Sequence, residues 1–360
     1  MATNPEEITT QGLTLLRELL EIRSPSGQEM PAVNHLVKWL NAAGLRAYRD
    51  AAGNAIGVFE APGAGPMREL ILLGHIDTVR GFPKVTERDG RLYGRGAVDA
   101  KGPLAAFATA AALVGPRPGW RIVVAGAVEE ESATSKGARH LAARRRPDLC
   151  IIGEPTGWQR VALGYKGRLL ADVAFQRMMS HTAGPASGAP ELAFQYWRRV
   201  QELVEELNTG RQRAWEQVQA SLRQFASEDD GMLETASLVL GFRLPPNLTP
   251  DTMKHLLVSV DGVGSFRFSG EEQAFRAEKN TALVRAFLSA VRAEGGQPVF
   301  LTKTGTSDMN VVGPAWGCPI LAYGPGDSSL DHTPEEHVEI DEWRRGVAVL
   351  ADALRQITSE

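Results

Sequence analysis

Thiols are nearly missing from this chain of 360 residues: only Cys150 and Cys318 occur. They lie far apart, each beside apolar segments, so they read as reduced, buried side chains of a cytoplasmic protein and not as a disulfide. Long apolar runs are missing too. No stretch reaches the roughly 18 apolar residues of a membrane span. The first ten residues, MATNPEEITT, lack the basic-then-apolar pattern of a secretion signal. Positive charge is not in excess: Lys and Arg number 39 against 43 Asp and Glu, a net charge of −4, which argues against nucleic acid as the main partner. The one basic run, Arg144-Arg145-Arg146, reads as the solvated end of a helix stopped by Pro147. There is no internal repeat and no low-complexity segment. An apolar fraction of 43% and a charged fraction of 23% are ordinary for a soluble globular enzyme.

What is present is α/β layering. Leu13, Leu15, Leu16, Leu19, Leu20 and Ile22 give a helical face that stops at Ser24-Pro25-Ser26-Gly27. Val33, Leu36, Val37 and Leu40 give a second helix, closed by Gly44. Leu70-Ile71-Leu72-Leu73 is a short apolar run before a glycine, as in a central strand covered on both faces. Residues 120–128 and 149–153 read as further central strands, and 103–113 and 135–145 as helices. Arg88-Asp89-Gly90-Arg91 reads as a turn between two short strands. A mainly parallel sheet is expected. After about residue 166 the pattern changes. Residues 168–176 alternate like a half-exposed strand, and 191–208 form a charged helix with Trp197, Val200, Leu203 and Leu207 on one stripe. Strands at 236–244 and 263–268 flank a helix at 250–258. From about 278 the α/β pattern returns, with strands at 298–301 and 319–323 and a final helix at 341–356. One discontinuous catalytic domain (1–166 and 278–360) is expected, with an α+β domain containing an antiparallel sheet (167–277) inserted in it.

The chemistry is suggested by where acids and histidines fall. GHIDTV places His75 and Asp77 directly after a buried strand, and GRGAVDAKG places Asp99 just before a helix. Glu129, Glu130 and Glu131 follow the next strand, Glu154 ends another, and His332 sits in a loop after 319–323. Singly, each has an ordinary reading: a surface loop, a helix N-cap, a solvated acidic face. Jointly, nearly all of them follow buried strands, and the carboxyl ends of strands line the ligand crevice of an open α/β sheet. Histidine with carboxylate and no cysteine suits zinc, cobalt or manganese at a catalytic site. Five ligands exceed the three that one catalytic zinc takes, so two metals sharing a bridging carboxylate are expected. His35, His140 and His255 on helices and His337 near the surface are read as structural.

GHIDTV, GRGAVDAKG, the acidic triplet with a glycine soon after, GEPT and GPG followed by DHTPEE resemble the co-catalytic zinc peptidase and deacylase family. That family includes acetylornithine deacetylase, succinyl-diaminopimelate desuccinylase, aminoacylase and glutamate carboxypeptidase. The resemblance runs through the whole chain, in order. EEESATSKGAR, GYKGRL and TKTGTSDMN look most like the branch that releases lysine or ornithine from an amino-group carrier protein. It implies a phosphorylase/hydrolase-like catalytic domain and a lid and dimerisation domain. It implies two zinc ions per subunit, with cobalt as a substitute, in a cytoplasmic homodimer. The implied partner is an acidic carrier protein, with lysine or ornithine joined to the γ-carboxyl of its C-terminal glutamate. The implied pathway is lysine, and by extension arginine, biosynthesis.

The resemblance also implies roles. His75 and Glu154 would bind one metal, Glu131 and His332 the other, with Asp99 bridging them and a cis peptide to Ala100. Glu130 would be the general base, and Asp77 would orient His75. The triplet leaves a second register open, with Glu129 as base and Glu130 as ligand; the family's extra acid ahead of the pair favours Glu130 and Glu131. His181, in MMSHTAGP, would reach the partner subunit's site and stabilise the oxyanion, although Gln176-Arg177-Met178-Met179-Ser180 departs from the family's polar turn. Arg243 would grip a substrate carboxylate, and Gly305 and Lys303 would line the substrate. Two other readings keep part of this: a small-molecule deacylase or dipeptidase with the same chemistry, and a metal-binding protein that docks a carrier without cleaving it. A binder needs no general base.

Overall fold

The computed structural model describes residues 4–61, 67–181, 186–260 and 264–359. The chain forms two compact units. The first comprises Met1–Gly164, Arg276–Thr302 and Ser307–Glu360; the second comprises Tyr165–Phe275 together with Lys303–Thr306.

The first unit is organised by a nine-stranded sheet. At its centre Trp120–Ala127, Arg68–His75, Leu149–Gly153 and Ile320–Ala322 run side by side and parallel. Helices cover both faces, so Leu70–Leu73 and Ile122–Ala125 are fully buried. Each such Leu or Ile contributes about 1.5–3 kcal/mol by burial. The expectation of a mainly parallel sheet needs correcting: the sheet is mixed. Ala55–Glu60 pairs antiparallel with Trp120–Ala127, Arg46–Arg49 antiparallel with Ala55–Glu60, and Arg160–Tyr165 antiparallel with Ile320–Ala322. For Arg46–Arg49 and Ala55–Glu60 the reason is connection length. Arg49 and Ala55 are joined by a tight turn in which Asp50 Oδ1 accepts the amides of Ala52, Gly53 and Asn54, and such a turn can only reverse the chain.

The Ala-rich helix Lys101–Val114 lies on the sheet and is buried from Lys101 through Ala111. Three glycines lie side by side beneath it at the strand ends: Gly126 beside Gly74, and Gly74 beside Gly153. A Cβ on Gly153 would stand 2.8 Å from the Phe107 ring, and one on Gly126 3.2 Å from Leu104. These glycines let the helix that follows Asp99 approach the ends of the strands.

Asp89 (φ 52°) and Gly90 (φ 74°) make the reverse turn between Thr86–Arg88 and Arg91–Tyr93, as a two-residue hairpin requires. Cys150 is buried, but Cys318 is only partly so, contrary to the expectation for both. Cys318 lies in the turn between Asp308–Trp316 and Ile320–Ala322, next to Gly317 in the left-handed region (φ 61°). Arg145 also departs from a solvated run: it turns inward, and its Nη1 lies 2.8 Å from Glu69.

The second unit is a four-stranded antiparallel sheet in the order Gln219–Asp229, Leu233–Leu244, Gly167–Met178, Ser265–Glu272, with the helices Ala189–Leu207 and Pro250–Val260. Leu169, Ala171, Val173 and Phe175 alternate inward and meet Ala236, Leu238, Leu240 and Phe242. On the first helix the buried stripe is Ala193, Tyr196 and Val200, with Trp197, Leu203 and Leu207 flanking it. Residue 263 of the strand expected at 263–268 and Thr182–Pro185 of the MMSHTAGP motif lie outside the described residues.

Candidate active site

In the first unit the carboxyl ends of the parallel strands bring five side chains together. His75 ends its strand and is almost fully buried. Its Nδ1 bonds the Asp77 carbonyl (3.0 Å), and its Nε2 faces Asp99 Oδ1 (3.0 Å) and Glu154 Oε1 (4.0 Å). Asp99 Oδ2 lies 2.9 Å from His332 Nε2, which also meets Glu131 Oε1 at 2.9 Å. Asp99 therefore offers one oxygen to each imidazole. One ligand atom from each of His75, Asp99 and Glu131 lies within 4.8 Å of the others. The peptide from Asp99 to Ala100 is cis, and Ala100 is the N-cap of the following helix.

The three glutamates have different surroundings. Glu129, at φ 60°, accepts from Thr134 Oγ1 (2.6 Å) and Lys136 Nζ (3.1 Å), away from the imidazoles' carboxylate partners. Glu130 and Glu131 donate their amides to the two oxygens of Asp77, each at 3.0 Å, and Ser26 Oγ donates to Asp77 Oδ2 (2.7 Å). The Asp77 carboxylate thus fixes the glutamate loop, and the same residue orients His75, through its carbonyl and with Oδ1 3.6 Å from Nδ1. The loop is also held from below. Asn54 accepts the Val128 amide and donates to the Gly137 carbonyl. A Cβ on Gly137 would sit 2.4 Å from Asn54 Oδ1 and 2.6 Å from Val128 N, so glycine follows the triplet because the backbones touch there.

The electrostatics follow from crowding. Burial opposes charge on His75, but the Asp77 and Asp99 carboxylates outweigh it and hold its pKa well above 6.5. Burial opposes ionisation of Asp99 as well, yet His332 and His75 hold it below the usual carboxylate range. Hydrogen bonds to Asp99 and Glu131 push His332 up to about 10. Desolvation raises Glu130 well above 4.5; the His75 charge opposes this, and Glu154, Asp308 and Glu131 add to it. Burial and the Asp99 charge raise Glu131. His332 is one of four non-glycine residues at positive φ (63°) among the described residues, a strained conformation at a side chain that joins two carboxylates.

This donor set fits divalent cations. It offers oxygen and imidazole nitrogen only, the chemistry that suits zinc, cobalt or manganese. It also sorts into two groups with Asp99 common to both: His75 with Glu154, and His332 with Glu131.

The remaining candidates belong to the second unit. Arg243 Nη1 donates to Thr306 Oγ1 (2.7 Å), which donates to the Lys166 carbonyl (3.0 Å). The Lys166 amide meets the Lys303 carbonyl (3.3 Å). Arg243, Lys303 and Gly305 are thus gathered around Thr306 and around Lys166, to which sequence reasoning gave no role. Lys166 is buried, with Nζ on the Gln217 carbonyl, and burial together with Arg243 lowers it to about 8. His181 lies elsewhere. Arg243 pairs with Arg168, whereas His181 follows Met178, ten residues along the same strand (168 to 178), or about 33 Å at 3.3 Å per residue.

Other residues missed from sequence are buried charges behind the site. Glu336 is fully buried and accepts the amides of Gly96, Val98 and Asp99. Glu29 accepts the Glu129 amide. Lys101 caps the Leu19 and Ile22 carbonyls through Nζ. Glu336 and Lys101 stand inside the motifs DHTPEE and GRGAVDAKG, but a charged residue there looks the same in sequence whether it points inward or outward.

The family model for Peptidase family M20/M25/M40 matches residues 71–356. The chain belongs to this family. It is a hydrolase of the M20 type and is similar to relatives along its whole length. A "LysW-lysine hydrolase" of Deinococcus radiodurans is 43% identical over 351 residues, covering 95% of this chain and 96% of the relative. A "putative LysW-lysine/LysW-ornithine hydrolase" of Thermococcus kodakarensis is 37% identical, covering 95% and 91%. Among solved structures, an M20 metallo-carboxypeptidase from Sulfolobus solfataricus superposes with a TM-score of 0.78 at 18% identity, covering 97% of this chain and 100% of that one. The di-peptidase Dug1p from Saccharomyces cerevisiae gives 0.79 at 14% identity, covering 99% and 97%. These structures share the M20 fold with this chain. Among the described residues no helix is long and apolar enough to cross a membrane.

Proposed function

We propose that this M20 hydrolase is a divalent-metal amidohydrolase that releases lysine, or ornithine, from a LysW-type carrier protein. The observation that carries the chemistry is Asp99, with one oxygen toward each imidazole. The substrate class rests on the relatives named LysW-lysine hydrolase, 43% and 37% identical across nearly the whole chain. They favour this reading over a small-molecule deacylase or dipeptidase. The bond cleaved would be the amide between the amino acid's α-nitrogen and the γ-carboxyl of the carrier's C-terminal glutamate.

His75 and Glu154 would hold one ion, His332 and Glu131 the other, with Asp99 shared; zinc is the proposed metal and cobalt a substitute. When bound, the ions polarise the amide carbonyl and acidify water at the site. Glu130 takes the proton from the attacking water and delivers it to the leaving amine. A carboxylate that holds no ion keeps the basicity that both transfers need. Asp77 keeps Glu130 and Glu131 in register through their amides. Arg243, oriented by Thr306, grips the carboxylate of the departing amino acid with its planar fork, and Lys303 and Gly305 complete that subsite. His181 serves the partner subunit of a homodimer joined through the second unit. Its separation from Arg243 along one strand supports that arrangement.

The test is incubation of the zinc-loaded enzyme with carrier-linked lysine, followed by mass measurement of the carrier. Loss of one lysine residue's mass is expected, with little turnover of N-acetylornithine. An unchanged carrier mass alongside fast deacetylation would replace this reading with the deacylase.

A further inference from the structure

The two halves of the proposed metal centre are built differently. His75 and Glu154 follow neighbouring parallel strands paired from Leu70↔Leu149 to Gly74↔Gly153, so the sheet sets their spacing. Asp99 and His332 lie on loops. Asp99 ends the segment Gly94–Asp99, which lies between strand and helix, and His332 follows the short helical turn Ser328–Leu330. One buried ion pair ties these loops together. Glu336 Oε1 accepts the amides of Gly96 (2.9 Å), Val98 (3.0 Å) and Asp99 (3.1 Å), and its Oε2 takes Arg95 Nη1 (2.5 Å). Arg95 donates onward from Nη2 to the His332 carbonyl (3.3 Å) and from Nε to the Gly81 carbonyl (3.0 Å). The Glu336 carbonyl accepts the Gly94 amide (3.1 Å), which closes the ring. Arg95 is 6% exposed and Glu336 0%. A buried pair of this kind adds little net stability, but it fixes geometry strongly, because each partner left alone is costly.

We propose that the Arg95–Glu336 pair positions the loop-borne ligands Asp99 and His332, and through them the His332–Glu131 half of the metal centre, while strand pairing sets the spacing of the His75–Glu154 half. The proposal rests on the two-metal reading above. Neither residue touches the reacting atoms; both act through the backbone of the loops that carry ligands. Glu336→Gln keeps the shape but puts an NH2 group where an oxygen met donors. Arg95→Lys keeps the charge but loses the planar fork that reaches Glu336, Gly81 and His332 at once.

The experiment counts zinc per chain by mass spectrometry in full-length protein, after zinc loading and dialysis against metal-free buffer. Circular dichroism checks the fold. Wild type is expected to hold about two zinc ions, and Glu336→Gln and Arg95→Lys about one each. Glu69→Gln, which breaks an ion pair at the opposite end of the same strands, should keep the wild-type count. In a His332→Ala background, Glu336→Gln should remove no further zinc, because the half that it supports is already lost. Should Glu336→Gln fail to fold, Arg95→Lys is read in its place. Wild type at two with both variants at two, or at none, overturns the proposal alone. So does a Glu69→Gln protein that also loses one. Wild type saturating at a single zinc overturns the two-metal reading, and the proposal with it.

Discussion

The two ends of the central strands differ in how their acids are compensated. At the amino end, Glu69 meets Arg145 (2.8 Å) and Arg121 (3.5 Å), and Glu60 meets Arg121 and Arg46. Asp148 accepts the Glu69 amide. The chain itself supplies the countercharge there, mostly as guanidinium groups, which suit paired carboxylates. At the carboxyl end, Asp77, Asp99, Glu130, Glu131 and Glu154 crowd together, and the partners of Asp99 and Glu131 are imidazoles. Several buried acids sharing two histidines carry net negative charge in a poorly solvated space. The difference teaches where to look for function: acids matched by arginines hold the fold, and acids left to histidines await a cation.

The largest expected effect comes from the acid proposed as the base. Glu130→Gln keeps the size and the amide bond to Asp77 but cannot accept a proton. A loss of a hundred-fold or more in kcat is expected, with zinc content unchanged. Turnover near wild type would remove Glu130 from the mechanism, and loss of zinc would make it a ligand. Asp77→Asn comes next. Asp77 accepts the amides of Glu130 and Glu131 and the Ser26 hydroxyl on its two oxygens, and asparagine must turn an NH2 toward one of those donors. A ten- to hundred-fold weakening of zinc binding is expected, the usual scale for residues that orient ligands. Unchanged affinity by competition with a chelator would show that the glutamate loop holds itself.

Metal removal sharpens the contrast through pH. In the metal-free protein Asp99 and Glu131 raise His332 from 6.5 to about 10. A folded value above the unfolded one means that these pairs stabilise the metal-free protein fully below pH 6.5 and are lost as pH rises through about 10. Zinc needs the neutral imidazole, so binding must expel this proton. Apparent affinity should therefore rise about tenfold per pH unit for each proton displaced. Calorimetry in two buffers of different ionisation enthalpy measures the release, and none at pH 7.5 would contradict the role of His332.

Legibility in the sequence followed the same divide. The central strands could be read because four or more consecutive apolar residues before a glycine have few other uses, and His75, Glu131 and Glu154 could be read because they stand at or just after the places where those runs stop. The flanking hairpin Arg46–Glu60 was not legible: RAYR is mostly exposed and has no apolar pattern, which is why the sheet was expected to be parallel. Gln219–Asp229 was missed for the same reason, being an exposed edge strand of mixed polarity. Glu336, Arg95, Glu29 and Lys166 were missed because a buried charge is defined by its partners. The partner amide of Glu336 at Gly96 is 240 residues away in the chain.

The smallest expected effect tests the arginine-matched end. Glu69→Gln leaves Arg145 and Arg121 without their shared anion in a half-buried setting, where their side chains are 19% and 40% exposed. Arg121 keeps Glu60, and Arg145 keeps the Tyr48 hydroxyl at 3.4 Å. Charge-assisted hydrogen bonds of this kind contribute about 1.5–3 kcal/mol each, less where solvent screens them. A loss of about 1–2 kcal/mol in denaturant unfolding is expected on that scale, with kcat/KM unchanged. The acid removed is as deeply placed as several at the catalytic end, so burial alone cannot account for the different outcome. A fall in kcat/KM as large as that for Asp77→Asn would mean that the two ends are coupled, and matching by arginine would then cease to mark an acid as structural.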